Sequence, residues 1–454
     1  METLVKTQKE YFNTNITKPV AFRVAQLKKF YDTLKAYEGS LSEAIYQDFQ
    51  KPPFDSFLTE FAGLYVHLNS VIKKVRKLSK PIKVRTNMVN APGKSYIIPE
   101  PLGVCLVISS WNYPVNLALG PVIDAMAAGN TVILKPSELA SYTSNSLAEM
   151  INKNFDPAYL RVVEGGVQET TDLLNQQFDK IFFTGSVPVG KIVYQAASKN
   201  LTPVTLELGG KSPLIVAPDA DLKITVKRLV WGKFVNAGQT CVAPDYALVH
   251  KSVEKQFLAE LKSAIEKAAY SLDNKNYAQI ISEKHFDRLI DMVDAKKVFY
   301  GFNHNRSRRY IQPTVLHNVS VDDKIMEDEI FGPILPVLTY ENIDDAIAFI
   351  KSKPKPLSLY LFSESYSLRK KVLSEVSFGG GGINEVIMHF SHEYLPFGGV
   401  GHSGMGTYHA EAGFKAFSHY KSIIQKPTWF EFPLKYYPFT PLKLKMIKRV
   451  MGVS

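Results

Sequence analysis

From Gly103 onward the chain alternates short apolar, β-rich runs with stretches of helical length, and this leaves few folds open. Residues 104–109, 132–134, 161–163, 181–183 and 205–208 form one set of runs; 214–216, 246–250, 298–300, 335–339 and 358–362 form another. Short strands separated by helices are the mark of parallel sheets with helices on their faces. The reading is therefore α/β, with two such lobes in succession and the change between residues 207 and 213. A length of 454 residues agrees, being too long for one ordinary core. No internal repeat and no low-complexity tract interrupts the pattern.

The first eighty residues read as helices. Phe57, Phe61, Leu64, Leu68, Val71 and Val75 recur at steps of four and three, one apolar stripe on one helix. Ser40-Leu41-Ser42-Glu43 has a capping-box pattern and is expected to start a short helix ahead of Pro52-Pro53. Residues 82–101 mix alternation with turn formers and read as an excursion from the main body. The tail after Lys426 is aromatic, Pro-containing and basic.

Charge and cysteines narrow the class. A formal net charge of +11 fits nucleic acid, anionic lipid or a phosphorylated cofactor. No basic run with interleaved aromatics occurs in the body of the chain, so nucleic acid is set aside. Two cysteines, Cys105 and Cys241, cannot build a disulfide framework, which fits a reducing cytoplasm. The start lacks a secretory profile, and no apolar stretch approaches the roughly 20 residues needed to span a bilayer. A soluble cytoplasmic protein is expected.

Several segments carry chemistry. Cys105, inside an apolar strand, reads as a small buried hydrophobe. Cys241 follows Gly238-Gln239-Thr240, where a loop meeting a helix N-terminus is expected to lower the thiol pKa. Glu207, leaving an apolar strand before Gly209-Gly210-Lys211, is placed to act as a base in a dry cleft. Gly210-Lys211-Ser212 is no phosphate loop, because Thr205 stands where that motif needs glycine. Asn112, in Ser110-Trp111-Asn112-Tyr113-Pro114 directly after the first strand, carries an amide able to donate to an oxyanion. Lys135 and Glu138 follow the next strand and suit the phosphate and hydroxyls of an adenosine ribose. The turn from Gly185 and Ser186 to Gly190 opens a helix whose N-terminus can face a pyrophosphate.

These segments, with Glu329-Ile330-Phe331-Gly332-Pro333, appear in the order and spacing found in aldehyde dehydrogenases, and from about Phe22 to the tail the chain resembles that family. Cys241-Val242-Ala243-Pro244-Asp245-Tyr246 and Leu395-Pro396-Phe397-Gly398-Gly399-Val400-Gly401 look like its class 3, or fatty-aldehyde, subgroup. The resemblance implies an aldehyde-dehydrogenase-like fold: a modified Rossmann cofactor domain (1–81 and 102–206), a catalytic domain (207–384), and a bridging, oligomerising element with the tail (82–101 and 385–454). It implies that Cys241 attacks the aldehyde, that the Asn112 amide and the Cys241 N–H hold the oxyanion, and that Glu207 activates the water that hydrolyses the thioester. It implies NAD contacts at Trp111, Lys135, Glu138, Gly185, Ser186, Gly190, Glu329 and Phe331, and a substrate pocket that includes Tyr113 and Asn384. Glu138 favours NAD over NADP by repelling a 2′-phosphate, although the subgroup often takes both.

Ser110, where Pro is common, and His402, read as a surface histidine, are the departures from the family pattern. No metal motif is present. The implied partners are an aldehyde and a second copy of the chain. The rival readings are a dehydrogenase that passes its thioester to coenzyme A, which Glu207 opposes, and an inactive dinucleotide-binding protein, which the intact Cys, Glu and Asn oppose. In the tail, Lys426, Lys435, Lys443, Lys445, Lys448 and Arg449 face one acid, Glu431, beside six aromatics. Either those aromatics pack on the enzyme, or the tail makes peripheral, salt-sensitive contact with an anionic membrane.

Overall fold

The computed structural model describes residues 1–453. Helices Glu2–Asn13, Val20–Phe49 and Ala62–Leu78 dominate the N-terminal region. Val20–Phe49 runs for 30 residues straight through Ser40, where the capping box had a helix beginning. Ser40 Oγ instead donates to the carbonyl of Tyr37, one turn back. Leu41, Ile45 and Phe49 continue the buried face, so packing overrides the local signal. The helix stops at Gln50, in the left-handed region at φ 51°, before the two prolines. The stripe at Phe61, Leu64, Leu68, Val71 and Val75 is buried, but Phe57 is exposed, because residues Phe57–Phe61 form a π turn that rotates it out of line.

The strands, numbered along the chain, begin with β1 (Ile82–Val84) and β2 (Lys94–Pro101). Next come β3 (Val104–Ile108), β4 (Thr131–Lys135), β5 (Leu160–Val162), β6 (Lys180–Thr184) and β7 (Val204–Glu207). These five pair in parallel in the order β7-β6-β3-β4-β5, and helices Asn116–Ala128, Ser141–Asn154, Val167–Leu174 and Val187–Ser198 connect them. The chain builds outward from β3 to β5 and then returns to the other side of β3 with β6. A topological switch point therefore lies between β3 and β6, the crevice where such sheets bind ligands beyond their strand ends.

The second sheet uses β8 (Pro213–Val216), β9 (Tyr246–His250), β10 (Val298–Tyr300), β13 (Thr314–Leu316), β14 (Ile334–Tyr340), β15 (Ser358–Phe362) and β16 (Gly380–Ile383), in the order β10-β13-β14-β9-β8-β15-β16. A small hairpin, β11 (His304–Asn305) with β12 (Tyr310–Ile311), lies beside it in sequence. All its pairings are parallel except β10 with β13. The strand β16 is three glycines and an isoleucine, without the apolar alternation that marks a strand. A Cβ at Gly381 would collide with the Leu359 carbonyl of β15, so glycine is what lets the two strands meet.

Glu207 is the last residue of β7 and thus belongs to the first sheet, while β8 opens the second. The strand β17 (Gly404–Met405) returns to cover the edge of β7, pairing Gly404 with Glu207. The strand β18 (Ser418–Gln425) pairs antiparallel with β2 over eight residues, joining the 82–101 excursion to the C-terminal region. In the tail, the helix Pro441–Val450 buries none of its residues. The tail aromatics do not pack on the enzyme: Trp429, Tyr437 and Phe439 are 77%, 82% and 76% exposed. Among the described residues no helix is long and apolar enough to cross a membrane.

Candidate active site

The helix Leu222–Phe234 delivers Cys241 through an unusual turn. Asn236, Ala237 and Gly238 are all left-handed, at φ 53°, 51° and 71°. At Gly238 a Cβ would strike the Gly332 carbonyl, so only glycine fits. Cys241 follows, half-buried, in the turn that leads into β9. No helix starts there, so the expected helix N-terminus is corrected, and with it the expected direction of the shift. Burial, aided by the negative charges of Glu329 and Glu207, pushes the thiol up to about 12. The backbone N–H groups of Cys241 and Val242 approach the sulfur and offset part of this rise.

Asn112 is buried beside this turn. Its Nδ2 donates to the Gln239 carbonyl at 3.1 Å, while its own carbonyl accepts from Asn236 Nδ2 at 2.8 Å. Its Oδ1 accepts from Ser110 Oγ at 2.7 Å, which gives the serine a task that proline could not perform. The amide is thus oriented from both sides, with one Nδ2 hydrogen uncommitted.

Tyr113 donates or accepts at 2.6 Å with Thr240 Oγ1, next to the thiol. Beneath its ring, at 4.4 Å, sits the ammonium of Lys51. Lys51 pairs with Glu60 at 3.1 Å, and both side chains are fully buried. Glu60 Oε2 accepts from the N–H groups of Val115 and Asn116, where the helix Asn116–Ala128 begins. Sequence reasoning missed this buried pair, because Lys51 looks like an ordinary basic residue before Pro52.

Glu207 is buried at the end of β7, and neither carboxylate oxygen has a hydrogen-bond partner among the described residues. Burial holds its pKa well above the usual carboxylate range. Glu329 is raised to about 8, chiefly by burial and by Asp245, while the Gly210 N–H, Lys211 and Arg288 act in the other direction. Its carboxylate lies against Gly209, where a Cβ would occupy the same space.

The other cofactor candidates gather at the C-terminal ends of the first sheet. Lys135 is buried at the end of β4, donating to the Pro136 carbonyl at 2.8 Å and lying 3.9 Å from Glu138, which is half-exposed. Ser186 caps the helix Val187–Ser198. A Cβ at Gly185 would meet the Phe183 ring at 2.6 Å, and one at Gly190 would meet Leu208 at 2.6 Å. Trp111 stacks edge-on against Phe331 at 5.3 Å. Ser109 Oγ beyond β3 and Thr184 Oγ1 at the end of β6 are buried without partners, on the two sides of the switch point. Orphaned hydroxyls, a twelve-residue helix N-terminus and a buried lysine suit a phosphorylated dinucleotide.

Asn384 is elsewhere. Its Oδ1 accepts from the Ser363 N–H at 2.9 Å and its Nδ2 donates to Glu364 at 2.7 Å, so it braces the end of the second sheet. Ile387, Met388 and Phe390, a few residues on, line the cavity above the thiol instead. That cavity has a volume of about 540 Å³ and leads from Cys241 between Leu64, Val71, Leu117, Trp231 and Phe414 toward Lys74 and Glu393. His402 is exposed and takes no part.

Residues 1–423 match the model of the aldehyde dehydrogenase family. The chain is 46% identical to 4,4'-diaponeurosporen-aldehyde dehydrogenase of Staphylococcus aureus, over 97% of this chain and 96% of that protein. It is 43% identical to the dimeric NADP-preferring aldehyde dehydrogenase of Rattus norvegicus, over 97% of this chain and 98% of that one. A substrate-bound Staphylococcus aureus AldH structure superposes with a TM-score of 0.97 at 45% identity, covering 99% of each chain. A thiol, an amide and a buried carboxylate converge beside a dinucleotide crevice, on a chain matched nearly end to end, and the protein belongs to the aldehyde dehydrogenase family, oxidising aldehydes to carboxylic acids with NAD(P).

Proposed function

We propose that Cys241 is the nucleophile, Asn112 the oxyanion donor and Glu207 the general base for an aldehyde with a long apolar body. The observation that carries this reading is the apolar cavity that ends on Cys241, with Glu207 buried and unpartnered in electrostatic reach of the thiol. Attack by the thiolate on the carbonyl carbon gives a thiohemiacetal. Its oxyanion takes the free hydrogen of Asn112 Nδ2 and the Cys241 N–H. A bound NAD(P) supplies hydride acceptance, which leaves Cys241 as a thioester. Glu207, once ionised, removes a proton from water, the hydroxide carbon–oxygen bond forms, and the carbon–sulfur bond breaks to release the acid. Water as the acceptor, rather than coenzyme A, follows from the presence of that base.

Lys135, Glu138, Gly185, Ser186, Gly190, Glu329, Phe331 and Trp111 hold the dinucleotide in this reading, and Tyr113 belongs to the substrate side. Glu138 at the adenosine ribose sets a preference for NAD. The functional division is a cofactor part (1–81 with 102–206), a catalytic part (207–384) and a bridging part (82–101 with 385–454). A homodimer is supported by the long β18, which presents an unpaired edge, and by the word dimeric in a relative's name. The exposed aromatic and basic tail supports peripheral contact between a cytoplasmic enzyme and an anionic membrane.

The test is NADH formation from a series of aldehydes, with and without coenzyme A, for the wild type and Cys241→Ala. Turnover without coenzyme A that disappears in Cys241→Ala is expected. Turnover that survives the substitution, or that requires coenzyme A, overturns the mechanism.

A further inference from the structure

The helix Ala62–Leu78 carries two faces. One is the buried stripe, of which Leu64 and Val71 reach the cavity; the other, Gly63, His67, Ser70 and Lys74, also lines it. Gly63, and Gly120 across from it, add no side chain to the cavity, and a Cβ at either would meet no atom closer than 4.0 Å. Both glycines keep this passage wide along its length.

Into that passage the structure builds one polar group from two elements. His67 Nε2 lies 2.9 Å from Oδ1 of Asp124, whose side chain is only 1% exposed. Asp124 belongs to the helix Asn116–Ala128, and its carboxylate fits only because residue 413 is glycine: a Cβ there would overlap it. Neither carboxylate oxygen has a well-aligned hydrogen bond among the described residues, so the nearby imidazole is the one cationic group that offsets its burial. The imidazole is 18% exposed and lines the cavity. The mechanism above uses neither residue.

We propose that His67 is a substrate-recognition group: its Nδ1 donates a hydrogen bond to an oxygen on the distal part of the aldehyde, so the enzyme selects long aldehydes that carry a hydroxyl or carboxylate over unsubstituted alkanals. The proposal rests on the reading of Cys241 as the catalytic end of the same cavity. Asp124 can only accept, so the proton on Nε2 stays with the pair, and Nδ1 donates when the ring is an imidazolium. Asp124 raises the His67 pKa against the opposing effects of burial and Lys74, which keeps that donor present at more alkaline pH than an isolated histidine would. The groups that face His67 are Asp124 on the neighbouring helix, Lys74 on its own and His409 from the C-terminal region. His409 is held neutral near neutral pH, its pKa lowered to about 3 by burial and nearby histidines. His392 and Glu393 line the outer part of the same cavity. Lys74 stands over the Tyr394 ring at 4.5 Å, a second cation toward which a distal carboxylate can reach.

The test compares kcat/KM for unsubstituted alkanals of about eight to twelve carbons with that for their ω-hydroxy and ω-carboxy counterparts. The length series covers the depth at which the oxygen must sit. For the wild type the ratio of oxygen-bearing to plain substrate should exceed one at the best length, and for the carboxylate, which can only accept, it should fall as pH rises through the His67 pKa. In His67→Leu it should drop by about 10-fold, the worth of one hydrogen bond to a charged donor. In His67→Gln, which keeps a donor, part of the ratio should return and its pH dependence should vanish. A gain for the carboxylate alone identifies an anion as the ligand; a gain for both identifies any acceptor oxygen. A ratio that His67→Leu leaves unchanged overturns the proposal, as does a wild-type carboxylate ratio that is flat with pH. Failure of the wild type to oxidise any of the aldehydes would instead refute the reading of Cys241.

Discussion

The hydroxyl of Tyr113 lies 2.6 Å from Oγ1 of Thr240, which ties the residue after Asn112 to the residue before Cys241. The proposed oxyanion donor and nucleophile reside on loops far apart in sequence, and this bond helps fix their separation. Tyr113→Phe removes it and keeps the ring over Lys51. The bond is worth about 1 kcal/mol, so kcat should fall about 3- to 10-fold. Steady-state kinetics with a saturating alkanal give the answer, and an unchanged kcat means other bonds hold the loops.

Glu207→Gln should separate the two stages. Thioester formation persists as a burst of NADH, and steady turnover falls by roughly 10²- to 10⁴-fold, because the base for water is gone. Rapid-mixing absorbance resolves burst from steady state. Unaltered hydrolysis of the acyl-enzyme would assign the base elsewhere.

The Cys241 thiol is neutral at pH 7, since burial, Glu329 and Glu207 hold it up to about 12. Alkylation by iodoacetamide, which requires thiolate, should be slow at pH 7 and climb about tenfold per pH unit above it. Glu329, raised to about 8, acquires its charge within that range and opposes ionisation of Cys241. In Glu329→Gln the alkylation profile should therefore shift to lower pH. A profile superimposable on the wild type would separate Glu329 from the thiol.

Lys51→Met leaves Glu60 buried without its cation. Unfolding in denaturant should register a loss of about 3–5 kcal/mol. The double variant with Glu60→Gln should recover much of it, because the glutamine oxygen still accepts from Val115 and Asn116. A single variant as stable as the wild type would mean that the pair adds nothing to stability.

The parts of the site that lie at strand ends were readable from sequence, for a physical reason. An apolar run that stops at Glu207, or at Lys135, fixes where a strand ends and so where the next side chain emerges. Features that depend on tertiary packing were not. Ser40 reads as a cap, yet Leu41 and Ile45 carry the helix through it. Asn384 follows a glycine run as expected, but its amide turns to Ser363 and Glu364. Cys241 has no helix after it, and its environment comes from Glu207 and Glu329, distant in sequence. His67 and Lys74 lie off the apolar stripe, and nothing local reveals that a second wall stands opposite them.

Glu207 ends a strand of the first sheet, whereas Cys241 hangs from a helix whose Val226, Leu229 and Val230 share the core of the second. The proposed base and nucleophile thus sit on opposite banks of a seam, and each bank folds around its own sheet. A slip of an ångström along that seam separates them without melting either sheet. Catalysis should fade at lower denaturant than helical circular dichroism does, and a molecule spanning both banks should act as a clasp that draws the two curves together. Aldehyde oxidation in this enzyme is in that sense a strain gauge, reading how closely its halves are docked.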